Sequence, residues 1–183
     1  MAHERKKLAE AHYFYSQMLR EINDREKFSY NLSAFLTAAR SVLQYALKEA
    51  STRNGGKQWY HNHITASSVL SFFRLKRNFN IHTAPVTALQ HTDLTVQSSV
   101  IFTGATSFVH LDGDGNVLDA SPPAQSKPEP ISKQPEPPAE VKNYYTFPDW
   151  EGKEDVVTLC KTYLEDLQRV IQDGIQRGFL TGR

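Results

Sequence analysis

The sequence predicts a mainly α protein: an antiparallel four-helix bundle with a small antiparallel β insertion and a Pro-rich loop before the last helix. Three observations lead to this prediction. Long segments carry apolar residues about every 3.6 positions, which is the spacing of one helix face. A stretch rich in Thr, Val, Ile and Phe, with a Gly-Asp turn cluster, separates the last of these segments from the others. Seven of the nine prolines lie between Pro122 and Pro138.

The first two helices are predicted from Glu4 to Asn23 and from Arg25 to Ser51. Asn23 and Asp24 supply a helix stop and the cap of the next helix. Apolar residues at helical spacing mark the first helix, and a broader apolar stripe marks the second. The pattern therefore indicates a long and central second helix.

A third helix is predicted from about His63 to about Asn80, with Asn62 as its N-cap and Pro85 beyond its end. This helix has two apolar faces. One consists of Ala66, Val69, Leu70 and Phe73, continued by Arg77, and the other consists of Phe72, Leu75 and Phe79. Either the bundle surrounds this helix completely, or one face packs against a partner, which favours a homodimer.

The fourth helix is predicted from Glu154 to Gly178, because apolar residues recur at helical spacing and Glu154 and Asp155 suit the positive N-terminal end of a helix. Cys160 lies on its apolar stripe. A buried and unreactive thiol is the common role of such a cysteine, so we assign Cys160 to the core.

The insertion is predicted over residues 86–148, within a single domain that spans residues 1–183. Its expected strands are Leu94–Phe102 and Thr106–Leu111, followed by the turn Asp112–Asn116 and a further short strand. The Pro-rich region mixes proline with Lys, Glu, Gln and Ser and cannot build a packed core. It is expected to be a mobile loop.

Composition and charge restrict the class of protein. The chain has 183 residues, 39% of them hydrophobic, and a single cysteine, which excludes an internal disulfide. Because no apolar run is long enough for a signal peptide or a membrane span, a cytoplasmic protein without membrane insertion is expected. Residues 1–83 carry 13 Lys and Arg against 6 Asp and Glu, and residues 84–183 carry 8 against 14. Either the halves neutralise each other in the fold, or the first half presents a nucleic-acid face.

Metal and cofactor sites are not predicted. An EF-hand loop that began at Asp112 would need Gly at its sixth position and Glu at its twelfth, where this chain has Val117 and Pro123. A hairpin turn explains the acidic residues better. His61 and His63 flank Asn62 without further ligands at metal-binding spacing, so we interpret them as polar residues at a helix start.

The segment from Arg74 to His82 carries the residue types that RNA cleavage needs. Arg offers a planar fork of donors to phosphate oxygens, and His can move a proton near neutral pH. Cleavage without a metal requires a base for the 2′-hydroxyl, an acid for the leaving oxygen and positive charge at the transition state. Arg77 and His82 could supply two of these functions.

Arg77, Asn78 and His82 form the pattern Arg-Asn-x-x-x-His near the end of the third predicted helix. This pattern resembles the Arg-x4-6-His motif of HEPN domains, in which a polar residue, often Asn, follows the Arg. The resemblance covers the helical parts, roughly residues 4–83 and 153–178. It implies a dimeric bundle of four or five helices, and active members are metal-independent endoribonucleases, many of them toxins or antiviral defence effectors. Other members are inactive and serve as interaction or RNA-binding modules.

The resemblance also implies roles for individual residues. His82 would transfer protons, Arg77 would stabilise the phosphate at the transition state, and Asn78 would orient the reacting groups. Arg74 and Lys76 would bind the RNA backbone. On a continuous helix, residues 77 and 82 lie about 140° apart. They converge only if the helix breaks before His82, or if two protomers share one cleft.

Two functions follow from these observations. The first is a HEPN-like RNA-directed protein, an endoribonuclease of the toxin or defence type that cleaves RNA through attack by the 2′-hydroxyl, with an antitoxin as a further partner. The second is a catalytically inactive helical dimer that binds another protein.

Overall fold

The computed structural model describes residues 3–82, 88–95, 109–120 and 140–182, with side chains described in these ranges except at 77–82, 118–120 and 140. Within these ranges the chain is mainly helical with small β elements, which confirms the predicted class. Its helices are α1 (His3–Arg20), α2 (Arg25–Ala50), α3 (Gly56–Ala66), α4 (Ser68–His82) and α5 (Val156–Gln176). Its strands are β1 (Leu89–Thr95), β2 (Val109–Leu111), β3 (Val117–Ala120) and β4 (Glu140–Thr146).

Helices α1 and α2 form a hairpin close to the predicted bounds. The connection turns at Asp24, whose carboxylate accepts hydrogen bonds from the backbone N–H groups of Glu26 and Lys27, both at 3.1 Å. This cap satisfies two of the backbone donors that the first turn of α2 would otherwise leave unpaired. The predicted role of Asp24 is therefore confirmed.

The prediction of one third helix was wrong, because two helices, α3 and α4, occupy this region. The first of them also begins earlier than predicted, at Gly56. Gly55, with φ of 77°, precedes α3, and Gly56 lies so close to α2 that a Cβ would meet the carbonyl oxygen of Ala50 at 2.0 Å. Asn62 lies inside α3, where it accepts a hydrogen bond from Gln58, and is not an N-cap. Ser67 then adopts extended geometry and separates α3 from α4.

Helix α5 forms as predicted and contributes a long buried face to the core. Asp155 caps it by accepting from the backbone N–H of Thr158 at 2.7 Å. Cys160 is fully buried, as predicted, and burial raises the pKa of its thiol well above the ordinary value. The largest fully buried side chains include Phe28, Leu32, Phe35, Leu36, Phe73, Tyr145, Leu159 and Tyr163.

The described residues form two short two-stranded sheets, and the sequence predicted one of them. Strands β2 and β3 pair antiparallel around the turn that Asp112 closes, which confirms the predicted hairpin. Strands β1 and β4 pair with each other, and β4 was not predicted. The predicted strand Leu94–Phe102 lies outside the described residues beyond Thr95, and the Pro-rich loop of residues 122–138 lies outside them entirely.

The chain divides into two compact units. The larger unit comprises Met1–Asp93 and Lys142–Arg183 and contains the helices described above. The smaller unit, Leu94–Val141, lies within the predicted insertion and contains the β2–β3 hairpin. Among the helices of the described ranges, none has the length and apolar character required to cross a membrane.

Candidate functional site

Helix α4 carries the predicted RNA site and continues without a break from Ser68 to His82. Arg77 and His82 therefore belong to one helix, where five residues turn the backbone by about 500° and leave the two positions about 140° apart. The helix break that a site within one chain needs does not occur. Of the two arrangements that the sequence left open, the one within a single chain requires this break. The side chains of Arg77, Asn78 and His82 lie outside the described residues.

The two positions continue different sides of α4. Position 77 follows Leu70 and Phe73 at helical spacing, and these residues are only 2% and 0% exposed. Position 82 follows Leu75 by seven residues, and Leu75 is 65% exposed. By helical periodicity, position 77 thus falls on the side of α4 that carries Leu70 and Phe73, and position 82 falls on the side that carries Leu75.

The second apolar face of α4 is partly covered by the same chain. The ring of Phe72 contacts Trp150 with centroids 4.9 Å apart, and it contacts Phe147 at 5.5 Å. Both contacts come from the segment between β4 and α5. Leu75 remains the exposed apolar residue on this side of the described part of α4. A partner on this face would therefore meet Leu75 and not the whole predicted face.

Arg74 is a half-buried cation on α4. Among the described residues, no carboxylate lies within ion-pair distance of its guanidinium. Positions 74, 78 and 82 follow each other at intervals of four residues, which places them on neighbouring parts of one side of the helix. Within the described residues, Arg74 is therefore a cation without a carboxylate partner.

Lys76 was predicted to bind the RNA backbone, which requires a free cation, but its side chain is already paired. Its ammonium group forms an ion pair with Asp149 and lies 4.8 Å from the ring centroid of Phe147 and 5.4 Å from that of Phe72. The Lys76 side chain is only 11% exposed. A phosphate would have to displace Asp149 to reach this charge, so Lys76 already has a structural role in the larger unit.

Sequence reasoning missed a polar cluster centred on Asp173 of α5. One carboxylate oxygen, Oδ2, contacts Trp59 Nε1 at 2.6 Å and His63 Nε2 at 2.8 Å, and the other accepts from Arg177 Nε at 2.8 Å. Trp59 and His63 lie one turn apart on α3. His61 and His63 lie beyond the first turn of this helix, so their interpretation as residues at a helix start was wrong. Because more than a hundred residues separate His63 from Asp173, spacing in the sequence gave no signal of this pair.

Asp173 remains ionised in this cluster. Burial would raise the pKa of its carboxyl, but hydrogen bonds from Arg177, Trp59 and His63 favour the charged form and together hold the pKa below the ordinary value. With both oxygens occupied, the carboxylate joins α3 to α5. The cluster is therefore a structural contact between helices.

Metal binding has no support in the described ranges, where no three His, Cys, Asp or Glu side chains are grouped so that they could hold an ion. In comparisons with known proteins, no family model, curated protein or solved structure matches this chain.

Proposed function

We propose that this chain is a HEPN-like RNA-directed protein of the toxin or defence type, a metal-independent endoribonuclease whose site forms between two copies. The observation that carries the proposal is the unbroken course of α4 through His82. A shared site takes Arg77 from one chain and His82 from the other, because one straight helix keeps them apart. The two-fold symmetry of such a dimer gives two identical sites.

Leu75 and Arg74 of α4 support this arrangement. Leu75, which is 65% exposed, gives a second copy an apolar contact on the side of the helix that position 82 continues. Arg74 gives the RNA backbone a cation without a carboxylate partner in the described part of the chain. Leu75 lies within two turns of position 82 and Arg74 just over two turns from it, so dimer contact and phosphate binding occur beside the proposed chemistry.

The proposed reaction is a transesterification that releases the downstream RNA fragment with a 5′-hydroxyl. A base removes the proton from the 2′-hydroxyl, and its oxygen attacks the adjacent phosphorus. The bond to the 5′-oxygen breaks, and an acid gives that oxygen a proton. His82 transfers a proton, Arg77 stabilises the charge on the phosphorane-like transition state, and Asn78 orients the reacting groups by hydrogen bonding. The products are a 2′,3′-cyclic phosphate and a 5′-hydroxyl.

The product chemistry tests the proposal. Wild-type protein incubated with single-stranded RNA in EDTA should give fragments that end in a 2′,3′-cyclic phosphate. His82→Ala and Arg77→Ala should each slow cleavage by about 10²-fold or more while the protein stays folded. His61→Ala is a matched control, because His61 is exposed on α3, away from the motif. Failure of wild type to cleave any structured or single-stranded RNA would contradict the proposal.

The second candidate function is a catalytically inactive dimer that binds another protein. The ion pair of Lys76 with Asp149 favours it, because this pair neutralises one cation of the segment that was expected to bind RNA. A dimer that persists without RNA cleavage, and without any effect of His82→Ala, would support this function.

A further inference from the structure

One side of α1 faces solvent along nearly the whole helix. Arg5, Lys6, Tyr13 and Arg20 are all exposed. At 100° per residue these four positions lie within about 100° of one another around the helix axis. They form one continuous surface, which we call the α1 basic face.

The charge on the α1 basic face has one sign. None of its three cations has an ion-pair partner among the described residues. Of the acidic residues of α1, Glu4 is only 2% exposed, and Glu10, which follows Lys6 by four residues, is paired with Lys7 at 2.6 Å. The three cations of the face outnumber the one carboxylate beside it, which is already paired, so the face attracts anions.

Tyr13 adds an aromatic surface among these cations. Its ring is 59% exposed and meets Phe14 at an edge-on angle of 74°, with centroids 5.3 Å apart. This contact supports one edge of the ring and leaves much of the rest open. An unpaired base can stack on such a ring, and stacking of this kind tolerates any base sequence.

We propose that the α1 basic face binds single-stranded RNA, with Arg5, Lys6 and Arg20 on phosphates and Tyr13 stacked on a base. Arg5 and Arg20 are separated by about 22 Å along the helix, a span that suits an extended polyanion and not a small anion. Unpaired bases are available for stacking only in single-stranded nucleic acid. The inference rests on the proposed RNA-directed function but concerns a surface separate from Arg77 and His82.

Binding of a fluorescein-labelled 2′-O-methyl oligouridylate tests the proposal, because this probe lacks the 2′-hydroxyl nucleophile and cannot be cleaved. Replacing Arg5, Lys6 and Arg20 together by Ser should weaken binding at least tenfold at low salt. The slope of log affinity against log salt should fall by about 0.7 for each cation that contacts a phosphate. Tyr13→Ala should weaken binding about five- to a hundredfold through lost stacking.

Matched controls come from exposed residues on other surfaces. Lys48, Arg53 and Lys57 give a triple serine variant that removes the same charge outside α1. Tyr30 is 64% exposed, but its hydroxyl is hydrogen-bonded to Glu26, so its surroundings are acidic. Tyr30→Ala and the control triple variant should leave affinity nearly unchanged.

Three results would overturn the inference. They are an unchanged affinity in the α1 triple variant, an equal loss in the control triple variant, and binding to phosphatidylserine vesicles without binding to the oligouridylate. Failure of the catalytic proposal can be distinguished from failure of this inference. Binding that depends on α1 in a protein that does not cleave RNA would remove the enzyme and leave this surface intact.

Discussion

Tyr145 lies flat on Phe28, with ring centroids 3.7 Å apart and ring planes 6° from parallel. The Tyr145 hydroxyl donates to the backbone carbonyl of Ile22 at 3.1 Å. Strand β4, which lies in the segment predicted as an insertion, therefore contributes a buried side chain to the helical core and fixes the turn between α1 and α2.

We expect Tyr145→Ala to lower the free energy of unfolding by about 3–5 kcal/mol, because a large buried ring is lost and a cavity remains. Tyr145→Phe should cost only about 1 kcal/mol, since the ring stays and one hydrogen bond is removed. Urea denaturation of the two variants measures both values. A loss below about 1 kcal/mol for Tyr145→Ala would show that β4 is not part of the core.

Replacing Asp173 by Asn should lower the free energy of unfolding at pH 7 by about 1–3 kcal/mol, because hydrogen bonds to a charged acceptor become bonds to a neutral one. The pKa of the Asp173 carboxyl is lowered in the folded protein. Its contribution to stability is therefore complete above the unfolded pKa of about 3.9 and is lost as the pH falls through the folded value.

The difference in stability between wild type and Asp173→Asn should accordingly shrink as the pH falls below about 4. Thermal unfolding measured across this range provides the test. Glu165→Gln is the control, because Glu165 is exposed on the same helix. A difference that stays constant with pH would show that the charge of Asp173 does not stabilise the contact between α3 and α5.

Leu75→Glu should convert a dimer into a monomer, because the substitution places a charge on the exposed apolar position of α4. Sedimentation at micromolar concentration distinguishes a dimer from the 20.8 kDa monomer. Leu94→Glu is the control, since Leu94 is similarly exposed at 63% and lies on β1. If wild type sediments as a monomer, the shared site cannot form.

Arg74 and Lys76 should differ in their effects on RNA binding, although both carry a positive charge. Arg74→Met should weaken RNA binding. It should also reduce the slope of log affinity against log salt concentration by about 0.7. Lys76→Met should leave binding nearly unchanged and lower stability instead, because Lys76 is already paired with Asp149. Equal losses of binding in the two variants would show that RNA displaces Asp149.

Local patterns predicted α1, α2 and α5, because each helix has a long amphipathic stripe. Such a stripe is visible in the local sequence without knowledge of distant contacts. The start of α3 was missed because it involves close packing of Gly56 against Ala50. The division between α3 and α4 was missed because Ser67, which separates them, donates a hydrogen bond to Asp166 of α5. These contacts are made only in the folded chain. Tyr145 and Asp173 were missed for the same reason.

The proposed site was predictable only as a motif. Sequence spacing identifies Arg77 and His82, but their relationship depends on whether α4 continues between them. The backbone of α4 is helical from Ser68 to His82, so the two positions lie on one continuous helix. The Asp149 partner of Lys76 is far away in sequence, so no local pattern could show that this cation is already paired.

Complementation between two inactive variants tests the shared site most directly. Arg77→Ala chains and His82→Ala chains, each inactive alone, should regain RNA cleavage in EDTA when they are mixed and allowed to exchange. Half of the dimers would then be mixed, and each mixed dimer would hold one intact site of two. Symmetry therefore predicts about one quarter of wild-type activity. Mixed dimers that form but stay inactive would contradict a site built from Arg77 of one chain and His82 of the other.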